Sequence, residues 1–300
     1  MKSKLIYILV YSGMWLLAYL PFRLLYIISD IGFLFVYYVI RYRRKVTFLN
    51  LKNSFPDETA EWRKKVEIKF YKYLCDYMLE DIKLMHMTSD ELKHRMKYIH
   101  VDEFLEMIEK HGSIILMIPH YANYEWIIGM GSNMHPGDIP VQVYKPLRDP
   151  YLDALFKKIR SRFGGLNIPK HSTVKEIIKL RRDHTRCAIG LITDQSPNIS
   201  EAHYWTIFLH QETVFMDGAE KIAKLMDYPV FYCDLLKEKR GYCQVDFQLI
   251  TETPKETGEG EITEQFVRRM EKTIIREPAY WLWSHKRWKH KREDFVNHEQ

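Results

Sequence analysis

Four cysteines in 300 residues, Cys75, Cys187, Cys233 and Cys243, are few, and no two form a CxxC pair. Their scarcity excludes a disulfide scaffold and a cysteine-based zinc framework, and it fits free thiols in a reducing compartment. The sequence lacks G-x-S-x-G, the strand-to-helix elbow of α/β-hydrolases, and H-E-x-x-H, which sets two histidines on one zinc. It has no internal repeat and no low-complexity stretch, so neither a solenoid nor a long disordered tract is expected. Charge of one sign is not greatly in excess: 45 Lys and Arg stand against 39 Asp and Glu, a formal +6. Placement of the positive charges therefore matters more than their sum.

What is present is a folding composition, 46% hydrophobic and 28% charged. The length suits one large α/β core with an appendage. Many of the 20 Tyr, 15 Phe and 7 Trp lie near the two ends, and such rings favour a water–lipid boundary. Leu5 to Phe22 has no charged residue over 18 positions, about 27 Å of helix at ~1.5 Å per residue, close to a bilayer core. A second apolar run, Leu24 to Ile40, is interrupted by Asp30 and ends at Arg41, Arg43, Arg44 and Lys45. No A-x-A-like site follows, so a cleaved signal peptide is disfavoured. The expectation is an N-terminal membrane-anchoring helix, then a partly interfacial helix with the basic flank at the cytoplasmic surface. Residues 1–45 thus form an anchor and its flank, and 46–300 a single domain. A second basic cluster, Lys286, Arg287, Lys289, Lys291 and Arg292, lies near the C-terminus; such clusters suit phosphate groups on lipids or nucleic acid, or form a solvated face.

Beyond residue 45 the pattern alternates. Helical periodicity covers Glu61–Leu84, Val101–Lys110, Pro150–Phe163, Thr173–Arg182, Met216–Met226 and Glu261–Ile275. Short apolar runs predict strands at Ser113–Ile118, Val141–Tyr144, Cys187–Thr193 and Pro229–Leu235, and Tyr242–Ile250 alternates like an edge strand. This predicts an α/β fold with a central, mostly parallel or mixed sheet covered by helices.

The stretch with chemistry is Ile118-Pro-His120-Tyr-Ala-Asn123-Tyr-Glu125-Trp126, directly after a strand. Five residues apart on one helix, His120 and Glu125 would point about 140–150° away from each other. They can meet if His120 sits on the turn and Glu125 on the first helical turn, where a carboxylate also complements the helix dipole. Glu125 would then orient the imidazole, leaving the other ring nitrogen to take a proton from a hydroxyl. A buried hydrogen-bonded histidine and a capping glutamate would show the same spacing. No second histidine stands at ligand spacing, so no metal and no cofactor are expected.

His120-Tyr-Ala-Asn-Tyr-Glu125-Trp126 resembles the H-x-G-N-W-E form of the late acyltransferases of lipid A biosynthesis, of lauroyl and myristoyl type. Four other segments are similar in order: Asn50-Leu-Lys-Asn-Ser-Phe-Pro56; Tyr144-Lys-Pro146 with Arg160-Ser-Arg-Phe-Gly164; Asp194-Gln195; and Trp281-Leu-Trp-Ser-His285-Lys286-Arg287-Trp-Lys289. Ala122, Tyr124 and Lys145 depart from the family's Gly, Trp and Arg.

The resemblance implies a glycerolipid-acyltransferase-like fold at the inner membrane, with its catalytic domain on the cytoplasmic side. It also implies acyl transfer from acyl carrier protein to a hydroxyl of a phosphorylated, Kdo-bearing lipid A precursor. His120 and Glu125 would be catalytic. Asn123, Arg160, Asp194, Gln195, His285, Lys286 and Arg287 would contact substrate, the last three at acceptor phosphates or carboxylates. A lysophospholipid or amino-acid lipid is the alternative acceptor. A membrane-tethered basic binding protein is the non-enzymatic alternative; it would have no need of the His120–Glu125 pair, and nucleic acid is not expected as a partner.

Overall fold

The computed structural model describes residues 2–198 and 203–293. The chain begins with helix α1 (Lys2–Tyr19) and helix α2 (Phe22–Leu34), which runs on through a π-helical turn to Ile40. Pro21 separates them, because its ring nitrogen has no N–H to continue the α1 ladder. As a result, among the described residues, Phe22–Ile40 is the helix long and apolar enough to cross a membrane, while the apolar part of α1, Tyr7–Tyr19, is shorter. The sequence pointed to the first apolar run as the anchor; the longer uninterrupted helix is the second. Asp30 does not break it, since the Arg240 guanidinium holds both carboxylate oxygens at 2.8 and 3.1 Å.

Helices α3 (Arg44–Ser54) and α4 (Ala60–Lys83) follow, the latter capped by Thr59, whose Oγ1 accepts from the Trp62 N–H. The N-terminal helices dock on α4. Lys83 donates to the Ala18 and Leu20 carbonyls left open at the end of α1, both at 2.8 Å. Arg240 joins Asp30 of α2 to Asp76 of α4. Next come α5 (Ser89–Arg95), β1 (Met96–Ile99), α6 (Val101–His111), β2 (Ser113–Ile118) and a 3-10 segment, Tyr124–Asn133. The chain continues through β3 (Ile139–Tyr144), α7 (Pro150–Ser161), β4 (Leu166–Pro169), α8 (Thr173–Arg182) and β5 (Cys187–Ile192). The hairpin β6 (Tyr204–Phe208) and β7 (Gln211–Phe215), helix α9 (Gly218–Met226), strands β8 (Val230–Lys239) and β9 (Tyr242–Thr251), and helix α10 (Glu261–Arg276) complete it.

Seven strands form one sheet in the order β1-β9-β8-β2-β5-β3-β4. All neighbours are parallel except β8 and β9, so the fold is α/β with a mostly parallel sheet, as expected. β2 is buried at every position, which is why it reads as a continuous apolar run: helices cover both faces of a central parallel strand. β9, expected at an edge, is flanked by the four-residue β1. So short a strand pairs through a contact far away in sequence and leaves no periodicity of its own to read.

Candidate active site

Register builds the site. β2 and β5 run side by side with Ile118 opposite Ile192. Two residues beyond those ends, where ligands gather in α/β sheets, His120 meets Asp194. The imidazole Nδ1 lies 2.5 Å from one carboxylate oxygen, and the His120 backbone N–H donates to the other at 2.9 Å. The Trp281 indole N–H also donates to that second oxygen at 2.9 Å. Asp194 is 2% exposed. Burial pushes its carboxyl upward, but the charge of His120 and these hydrogen bonds outweigh burial and hold it below the usual carboxylate range. With Nδ1 donating to Asp194, Nε2 is left as an acceptor, and the Gln195 amide sits 3.1 Å from it.

Glu125, expected to orient the imidazole, does something else. It lies on the first turn of the 3-10 segment, where its carboxylate takes a two-pronged contact from Arg160 of α7, Nη2–Oε1 2.7 Å and Nε–Oε2 3.1 Å. The Tyr124 ring packs edge-on against His120 at 4.9 Å between centroids, and its hydroxyl accepts from Tyr77 at 2.9 Å. The imidazole's carboxylate is therefore Asp194, because strand register brings it there directly, while Arg160 takes up Glu125. Although burial alone would weaken the guanidinium, Glu125 keeps Arg160 above its ordinary range.

His120, Glu125 and Arg160 line one cavity of about 1110 Å³, slightly larger than the usual ligand pocket, with Asp194 buried behind His120. Its apolar wall includes Phe156, Val174, Ile178, Ile192, Met216 and Ile222, while Lys145, Lys170 and Lys175 bring cations to it. Asp81 of α4 lines it too, with Oδ1 buried and without a hydrogen-bond partner. Burial first, and then the charge of Glu125, hold the Asp81 carboxyl well above the usual carboxylate range. Nothing in the local sequence singled out Asp81, since α4 reads as a packing helix.

The other expected contacts divide. Arg160 and Gln195 line the cavity. Asn123 is fully buried, donates to Glu80 at 2.9 Å and lies behind the loop, outside the cavity lining. Lys286 is exposed. Arg287 is 1% exposed, donates to Thr213 Oγ1 at 2.9 Å and stacks its guanidinium 3.9 Å from the Phe215 ring centre. Burial pushes its pKa down to about 9. It thus fills an interior position and is not a surface phosphate clamp. The Asn50 segment and the C-terminal block meet here: Asn50 donates to the Trp283 and His285 carbonyls at 2.8 and 2.9 Å. That contact secures the turn that presents Trp281 to Asp194.

Burial, opposed by Asp194 and reinforced by the charges of His120 and Arg287, holds the His285 imidazole down to about 4. An unfolded histidine titrates near ~6.5, so between about 4 and ~6.5 the unfolded chain binds a proton that the native one does not. Stability should therefore fall by roughly 3 kcal/mol as pH drops through that window. Denaturant titrations across it should show a shallower fall for His285→Gln; an identical slope would remove His285 as the cause.

The family model for bacterial lipid A biosynthesis acyltransferases matches residues 1–290. A lipid A biosynthesis acyltransferase of Haemophilus influenzae is 25% identical over 225 residues, covering 72% of this chain and 68% of that protein.

Proposed function

Because the chain belongs to the bacterial lipid A biosynthesis acyltransferase family and is an acyltransferase of lipid A synthesis, we propose that His120 is its general base, with Asp194 as the carboxylate that orients it. The observation that carries this reading is the imidazole at the cavity edge, its Nδ1 on a buried carboxylate and its Nε2 free of any acidic partner.

An acceptor hydroxyl replacing the Gln195 contact would give its proton to Nε2. Its oxygen then adds to the carbonyl carbon of an acyl thioester. The tetrahedral oxyanion collapses, the C–S bond breaks, and the thiolate takes the proton back from the imidazolium, leaving an ester and a thiol. Asp194 stabilises the imidazolium between these steps. Arg160, held in place by Glu125, is the cation available to the oxyanion or to an acceptor phosphate. The apolar wall suits an acyl chain, and Lys145, Lys170 and Lys175 suit a phosphorylated head group.

The donor proposed is acyl carrier protein, and the acceptor a phosphorylated glucosamine disaccharide lipid. The exposed apolar face of α2, with Ile27, Ile31 and Leu34, would sit in the inner membrane, with the catalytic domain on its cytoplasmic side. The Arg240 clamp on Asp30 and Asp76 holds α2 along the domain surface, which favours lying in the interface over crossing it alone.

Purified protein given an acyl carrier protein thioester and the disaccharide lipid should yield a product heavier by one acyl group on mass spectrometry. Lipid A from a deletion strain should lack one chain. Acylation of a lysophospholipid but not of the disaccharide lipid would overturn the acceptor.

A further inference from the structure

A second cleft, of about 540 Å³, opens between α2, α4, the end of β8 and the turn Pro278–Tyr280, and shares no lining residue with the His120 cavity. Lys237 of β8 is at its base. Its side chain is only 4% exposed, and its Nζ has no hydrogen-bond partner. The nearest carboxylate oxygen, Glu80 Oε1, is 3.6 Å away. Glu80 already accepts from the Tyr26 hydroxyl at 3.0 Å and from Asn123 at 2.9 Å. Lys237 is thus ion-paired with Glu80 at a separation longer than a hydrogen bond, and its buried ammonium N–H groups, with no hydrogen bond made, favour an anion supplied from outside.

The mouth supports the same chemistry. Lys72 is exposed on α4, and its ammonium is 5.5 Å from the Phe33 ring centre. The carboxylates there are engaged: Asp30 and Asp76 by Arg240, and Glu277 by Lys69 at 2.6 Å. Phe33 and Leu34 of the apolar helix α2 complete the rim, with Leu34 54% exposed. Cations inside and a lipophilic helix at the lip fit an amphiphile whose phosphate enters while its chains stay with α2.

The floor of this cleft is also the back of the catalytic loop. Tyr73 donates to the Ala122 carbonyl at 2.7 Å, and the Ala122 N–H donates to the Tyr280 carbonyl at 2.9 Å. Ala122 has φ +47°, a left-handed conformation unfavourable for alanine that the surroundings must hold in place. Asn123 reaches Glu80 and, through it, Lys237. We infer that this cleft binds the phosphate head group of an anionic membrane lipid and that the bound lipid steadies the loop carrying His120.

The test uses full-length protein in neutral detergent micelles, so that bilayer charge plays no part, and it reads binding and amide exchange without needing transferase activity. Short-chain phosphatidylglycerol should bind saturably where phosphatidylcholine does not, and amide exchange at Ala122 and Asn123 should slow when it binds. Lys72→Glu, at an exposed position that leaves the fold intact, and Lys237→Met should each weaken binding by about tenfold or more. Inorganic phosphate alone binding as tightly as the lipid would overturn the lipid assignment. Unsaturable binding, equal binding by the Lys72→Glu protein, or unchanged exchange would overturn the inference.

Discussion

His120→Ala lowers kcat by about 10²–10⁴-fold, the range a general base contributes, while the fold and membrane association survive. His120 is at the cavity edge with its side chain 15% exposed, so truncation opens space toward solvent and not inside the core. What truncation removes is the acceptor of the hydroxyl proton and the acid that returns it to the thiolate. Initial rates with an acyl thioester donor, beside a thermal melt, measure both effects. A folded His120→Ala protein turning over within a few-fold of the wild type would sink the mechanism.

Asp194→Asn should come next in severity, with kcat down by about 10²–10⁴-fold, as expected when the carboxylate that sets an imidazole tautomer is lost. It should also destabilise the fold by about 1–3 kcal/mol, because the His120 backbone N–H and the Trp281 indole N–H share one Asp194 oxygen and the imidazole Nδ1 takes the other, so an amide N–H₂ must replace one of these acceptors with a donor. Glu125→Gln separates this reading from the one that spacing suggests. If Glu125 acts by holding Arg160, its amide variant should lower kcat/KM by about 10–10²-fold, and Arg160→Lys should behave similarly. Glu125→Gln as damaging as His120→Ala, with Asp194→Asn nearly wild type, would return the orienting role to Glu125.

How far the sequence could be read depended on whether a feature is local. Buried parallel strands such as Ser113–Ile118 and Cys187–Ile192 announce themselves as apolar runs, and α10 by its stripe of one face, so the α/β class was legible. The β6–β7 hairpin was not. Its turn holds Leu209 and His210 at φ +47° and +65°, positions where Gly or Asn would have signalled a primed turn. They are held instead by surroundings that include a Leu209 N–H to Glu271 bond of 2.7 Å. The two short strands β1 and β4 escaped notice for a related reason, since four residues carry too little periodicity.

The candidate site shows the same division. His120, Asp194 and the tryptophan block stood out as residue types in ordered motifs, because chemistry of this kind needs an imidazole, a carboxylate and donors whatever their spacing. The sequence by itself determined the inventory: an imidazole, two carboxylates, an arginine and an apolar N-terminal stretch. Which carboxylate meets the imidazole was decided only by tertiary structure, since parallel register sets Ile118 beside Ile192 and so places His120 next to a residue 74 positions away. The five-residue interval to Glu125 could not compete, because Arg160 from another helix reached Glu125 and register brought Asp194 to the imidazole. Arg287 makes the same point in reverse: its basic neighbours suggested a surface, and packing against Phe215 put it inside. Local pattern chooses the groups, and the long-range pairing of strands and helices chooses their partners.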